Sequence, residues 1–269
     1  MIEEHVNFIS DGLKLEGVLS YGENVLNPPM IILCPPHPHL GGDMENNVIT
    51  ELGKVLAENG FATLRFNYRG VGSSESKQNN VAEVYEYWET ILNSDDCSDA
   101  VVDATAAINY LESTVGTKKI FITGYSFGAI VAMMLCLKIA NIRAIASISA
   151  PFGRFDISFL SDCKKPKLFI CSDNDFATTL EEVEKGMLSI SDPKILDIIR
   201  DCDHFYIDKE HIGISLDQAT TIKQIQEVSN VFAKAKNRPS TKIDSKKTKR
   251  DWPKNFHRQS EYLSHEVFN

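Results

Sequence analysis

The sequence has no apolar run long enough to cross a bilayer. Its longest, near residues 129–137, falls far short of the roughly 20 residues that a membrane helix needs. A positively charged start followed by an apolar stretch is also missing. The chain opens Met1-Ile2-Glu3-Glu4-His5, so no secretory signal of that kind is expected. Positive charge is scarce, with 28 Lys and Arg against 37 Asp and Glu and a net charge of −9. That balance argues against nucleic-acid binding, because phosphate contacts need a basic surplus. The cysteines, Cys34, Cys97, Cys136, Cys163, Cys171 and Cys202, form no close pair with metal-ligand spacing. Several sit in apolar runs, where a free cysteine behaves as a small hydrophobe. A reducing, cytoplasmic location follows as the simplest reading. Internal repeats are absent.

What is present is a chain of 269 residues with 43% hydrophobic content, enough to bury a full core. Residues 6–9 and 14–20 alternate polar with apolar around Asp11-Gly12, the pattern of an antiparallel hairpin. After Asn27-Pro28-Pro29, residues 30–34 are apolar on both faces, as in a strand covered on both sides. Strands and helices then alternate. Helices are expected at 45–59, 99–112, 127–139, 178–188 and 215–235, and strands at 61–66, 119–123, 144–149, 167–171 and 195–199. Such an order implies an α/β fold with a doubly wound, mostly parallel sheet entered through the N-terminal hairpin. Residues 77–96 interrupt it with an aromatic insertion carrying Tyr85, Tyr87 and Trp88, expected to be partly helical. From residue 236 the chain turns polar and basic, with nine Lys and Arg against four Asp and Glu. It reads as a tail appended to a domain of residues 1–235.

Gly124-Tyr125-Ser126-Phe127-Gly128 fits G-x-S-x-G, with an apolar strand before it and a helix directly after. In that setting a strained turn lifts a serine hydroxyl above the sheet, and its neighbours two residues away must be small. A serine hydroxyl at its ordinary pKa is a poor nucleophile, so it needs a base, and the base an orienting carboxylate. Two histidines follow the later strands, His204 and His211. His204, just after the strand at 195–199, is the better placed to reach back over the sheet. Asp173 and Asp175 both follow the strand at 167–171. Asp175 lies far enough past it to turn toward His204, whereas Asp173 suits the turn itself.

An oxyanion formed at this serine needs preorganised donors. One is expected from the backbone N–H of Phe127, at a helix N-terminus. The other is expected in the loop Pro35-Pro36-His37-Pro38-His39-Leu40-Gly41-Gly42. Pro38 has no N–H, which favours His39, with Leu40 behind it. His37 and His39 share a face of an extended chain and invite a zinc reading. No third ligand with recognisable spacing accompanies them, so neither metal nor cofactor is expected. The Gly70-Val71-Gly72 loop lacks the fuller G-x-G-x-x-G of a nucleotide site and reads as a turn.

Four segments in order carry a family resemblance. They are His37-Pro38-His39-Leu40-Gly41-Gly42-Asp43-Met44, Leu64–Ser73, Gly124–Ala129 and Asp203-His204-Phe205. Together they resemble small α/β-hydrolases described as esterases or acyl hydrolases, near the dienelactone-hydrolase and acyl-aminopeptidase branches. The likeness spans roughly residues 1–230. It implies Ser126 as nucleophile, Asp175 as acid and His204 as base, without fixing the substrate. The segment at 150–165 is too short for a large cap domain, so at most a small lid is expected. The expected activity is a serine hydrolase cleaving an ester, thioester or activated amide of a small acyl substrate. Acyl transfer on the same machinery and a non-catalytic binding protein of this fold are the alternatives.

Overall fold

The computed structural model describes residues 1–23, 25–116 and 119–206. The helix expected at 215–235, His211 and the basic tail, with the domain boundary at 236, lie outside the described residues.

Two long strands, β1 (Ile2–Ser10) and β2 (Leu13–Tyr21), form the N-terminal hairpin around Asp11-Gly12. β3 (Met30–Cys34) and β4 (Ala62–Phe66) are buried along their whole length; β3 is an unbroken apolar run, as a strand covered on both faces requires, whereas β4 also buries Thr63 and Arg65. β5 (Ile120–Tyr125), β6 (Ile142–Ile148), β7 (Lys167–Asn174) and β8 (Lys194–Asp203) complete one eight-stranded sheet. Its order is β1-β2-β4-β3-β5-β6-β7-β8; β1 and β2 run antiparallel and every pairing from β4 to β8 is parallel. The doubly wound, mostly parallel sheet with its N-terminal hairpin is therefore present as read from the sequence.

Five helices connect the strands among the described residues: α1 (Asn47–Glu58), α2 (Val81–Ser94), α3 (Ser98–Val115), α4 (Phe127–Lys138) and α5 (Leu180–Ser189). The period of two along β3 sorts its side chains between two cores. Met30, Ile32 and Cys34 join the large cluster that holds α3 and α4, while Ile31 and Leu33 meet Ile49 of α1 on the other face. α4 is buried nearly all round, which explains its lack of a polar stripe. Among the described residues no helix is long and apolar enough to cross a membrane.

From β3 the chain passes to β4 on one side and then returns to β5 on the other. In sheets of this kind the crevice at the strand ends, where the winding reverses, is where ligands bind. The loop after β3 and the turn after β5 meet there.

Insertion 77–96 is helical over most of its length, and α2 is firmly docked. Trp88 is buried and its Nε1 donates to the Arg69 carbonyl at 3.1 Å. The Tyr87 hydroxyl donates to Asp99 at 2.7 Å, and Tyr85 stacks on His39 with ring centres 4.0 Å apart. Arg69 is buried against Asp103, its Nη2 2.8 Å from Oδ1, with the Ser10 hydroxyl donating to the same carboxylate. The Gly70–Gly72 turn is closed by protein rather than open to a phosphate, since Ser73 N–H donates to Glu16 at 2.6 Å.

Candidate active site

Ser126 occupies the turn between β5 and α4 with φ 55° and ψ −119°, in a region that non-glycine residues seldom enter and that costs of order 1–3 kcal/mol. Its backbone N–H is held by the Ile148 carbonyl at 2.8 Å. The flanking glycines are required by contact. A Cβ on Gly124 would lie 2.0 Å from the Gly128 carbonyl oxygen, and one on Gly128 would lie 2.1 Å from that of Cys34. The motif's small residues thus let the start of α4 close down on β3 and β5.

His204 follows β8 directly and is buried. Its Nε2 lies 3.2 Å from Ser126 Oγ and its Nδ1 lies 2.7 Å from Asp175 Oδ1. Asp175, one residue beyond β7, has a fully buried side chain, and the same oxygen accepts from the Ala177 N–H at 2.8 Å. Asp173 lies within β7, and no hydrogen bond joins it to His204. The structure thus brings Ser126, His204 and Asp175 into one chain of hydrogen bonds, with Phe127 beside them as the first residue of α4. As N1 of that helix, Phe127 has no intrahelical acceptor for its N–H.

His39 is not brought to this cluster. Its backbone N–H donates to His37 Nδ1 at 3.2 Å, capping a short 3-10 turn at Pro38–Leu40, and its ring lies on Tyr85. The turn is the reason: a donor that closes its own loop cannot also face the serine. His37 is wholly buried between the rings of Trp88 and Phe127. Burial first, then the charges of His39 and Arg154, push its imidazole down to about 4, so it is neutral near pH 7. Its Nδ1 lone pair is taken by the His39 N–H, which leaves it unavailable to a metal. Among the described residues no group of three or more candidate metal ligands exists.

Two cavities meet at Ser126. One of about 190 Å³ is walled by α2 through Ile91 and Leu92, by the loop after β6 through Pro151, Arg154 and Phe155, and by Phe127. The other, of about 250 Å³, is lined by Asn46, Tyr125, His204 and Phe205. Leu40 and Phe176 border both. The sequence offered no signal for Arg154, Phe176 or Asn46, because only the fold gathers these loops. Tyr125 was visible only as a filler of the pentapeptide, yet its hydroxyl holds the His204 carbonyl at 2.8 Å.

A family model described as serine aminopeptidase, S33, matches residues 41–173. An uncharacterized protein of Rickettsia prowazekii is 32% identical over 190 residues, 67% of this chain and 73% of that protein. Among solved structures, an alpha-beta serine hydrolase homologue from Coxiella burnetii superposes with a TM-score of 0.65 at 26% identity. It covers 77% of this chain and 91% of its own. A serine hydrolase without a lid from Xanthomonas campestris gives 0.63 at 24% identity over 76% and 86%, a likeness of fold.

Proposed function

The chain belongs to the α/β-hydrolase superfamily, and on that footing we propose that it is a serine hydrolase working through an acyl-enzyme on Ser126. The observation that carries this is the Ser126–His204–Asp175 hydrogen-bond chain, mounted on the strained turn after β5. His204 Nε2 takes the hydroxyl proton as Ser126 Oγ bonds to the substrate carbonyl carbon. The carbonyl electrons move onto oxygen, which the Phe127 N–H receives at the positive end of α4. Asp175 fixes the imidazole tautomer through Nδ1 and stabilises the imidazolium that forms. As the tetrahedral intermediate collapses, the bond to the leaving group breaks and His204 returns the proton to it. Water, deprotonated by the same imidazole, then releases the acyl group. With the His39 N–H committed to its own turn, Phe127 is the donor we assign.

An ester or thioester suits the surroundings better than the free amino terminus of a peptide. An aminopeptidase must recognise a protonated amine. Neither cavity at Ser126 presents an Asp or Glu among its described lining residues to receive that amine. The acyltransferase alternative has no comparable observation in its favour. All six cysteines are unpaired and buried, which fits a reducing, cytoplasmic setting.

Hydrolysis of short-chain p-nitrophenyl esters tests the proposal. Asp175→Asn is expected to lower kcat by roughly 10⁴-fold, and Asp173→Asn by much less. Equal losses, or a larger one at Asp173, would reassign the acid.

A further inference from the structure

The two cavities at Ser126 differ in one respect that orders the reaction. His204 lines the 250 Å³ cavity and is absent from the lining of the 190 Å³ one. On the serine-hydrolase reading, the imidazole hands its proton to the leaving group, so the leaving group must lie on the side where His204 is. The acyl group is then left with the other cavity, beside the Phe127 amide. We propose that the 190 Å³ cavity is the acyl pocket and that α2 limits it to uncharged acyl groups of about six carbons. An enclosed apolar space of about 150 Å³ accepts a benzene ring, which sets that scale.

The closing wall is held in place rather than left to swing. Ile91 and Leu92 of α2 face Pro151 and Phe155 across the pocket. The two walls are tied by Arg154, whose Nε donates to Asp95 at the C-terminal cap of α2 over 2.5 Å. Arg154 also lies against the Phe155 ring, 5.7 Å from its centre. Its charge is thereby answered by Asp95, so it does not call for an anionic acyl group. Farther along α2, Trp88 is buried beneath His37 and Phe127, and Tyr85 is stacked on His39. The aromatic insertion is therefore the fixed end of the acyl pocket. It determines which chain length fits and takes no part in the chemistry.

A series of p-nitrophenyl esters from acetyl to dodecanoyl tests this, with kcat/KM measured for wild type, Leu92→Ala and Leu92→Trp. For wild type, kcat/KM should rise about fourfold per added methylene to an optimum near butanoyl or hexanoyl, then fall at least tenfold by decanoyl. The ratio of octanoyl to butanoyl kcat/KM should increase tenfold or more in Leu92→Ala and fall in Leu92→Trp. Reading a ratio keeps the result independent of any general loss of activity. A flat profile, an optimum at decanoyl or beyond, or a ratio unmoved in both variants overturns the pocket while the hydrolase reading stands. No turnover of any ester, together with no labelling of Ser126 by a fluorophosphonate, overturns both.

Discussion

The hydroxyl of Tyr125 donates to the carbonyl oxygen of His204 over 2.8 Å, with the two rings 5.4 Å apart. One residue precedes the nucleophile and the other is the proposed base, so this bond ties the loop after β8 to the turn after β5. Burial raises the Tyr125 phenol, which therefore stays a donor across the working pH range. Phe176 covers another side of the imidazole at 4.7 Å. The ring of His204 is thus fixed by packing and by its own main chain as well as by Asp175.

Tyr125→Phe should lower kcat by roughly fivefold to tenfold and leave KM nearly unchanged. One neutral hydrogen bond is worth about 1 kcal/mol, and its loss loosens the base without emptying either cavity. A thermal melt should show that the variant is folded. A change confined to KM would mean that Tyr125 shapes the cavity it lines and does not position His204.

The Arg69–Asp103 pair anchors the active-site floor from behind. Arg69 is 2% exposed and Asp103 fully buried; the pair links the loop after β4 to α3, while the Arg69 carbonyl receives Trp88 of α2. Asp103→Ala leaves the buried Arg69 cation with the half-exposed Asp99 carboxylate as its ion-pair partner, 2.8 Å from Nη1. It should cost about 3 kcal/mol, the low end for a buried pair broken on one side, read as a lower urea midpoint. The double variant Arg69→Met with Asp103→Leu should lose clearly less, because neither charge is then left alone. If the double variant is the less stable one, the pair contributes more than it costs to bury.

His37 gives stability a dependence on acid. Its folded pKa of about 4 lies below the ordinary 6.5 of the unfolded chain. Between those values the unfolded state binds the extra proton, so stability rises with pH in that window. It falls as pH drops from 6.5 toward 4, by up to on the order of 3 kcal/mol. His37→Asn keeps a cap for the Pro38–Leu40 turn and removes the titration. Urea midpoints at pH 7 and 4.5 should therefore fall farther for wild type than for the variant. Parallel profiles would show that His37 takes up its proton in the folded protein.

Much of the fold was legible because the sheet is buried on both faces. Unbroken apolar runs marked β3 and β5, and a Gly stop after residue 59 marked the end of α1. Strand ends were less legible. β8 continues to Asp203 through a polar stretch, Asp201-Cys202-Asp203, where ladder bonds to β7 override composition. At the site, residue order on the chain led to Ser126, Asp175 and His204, since each sits at or just past the end of a strand of one sheet. His39 misled for a local reason. Proline at 38 removed one donor, and the sequence could not show that the His37 ring would take the next. The cavity walls were invisible for a different reason: Ile91, Arg154 and Phe176 come from three separate connections and share no spacing.

The measurement that bears most directly on the nucleophile is covalent labelling by a fluorophosphonate, mapped by peptide mass spectrometry. A single adduct is expected on the peptide containing Ser126, with none on folded Ser126→Ala protein. Folded wild type that takes no label, or an adduct that maps to another residue, would contradict the assignment of Ser126.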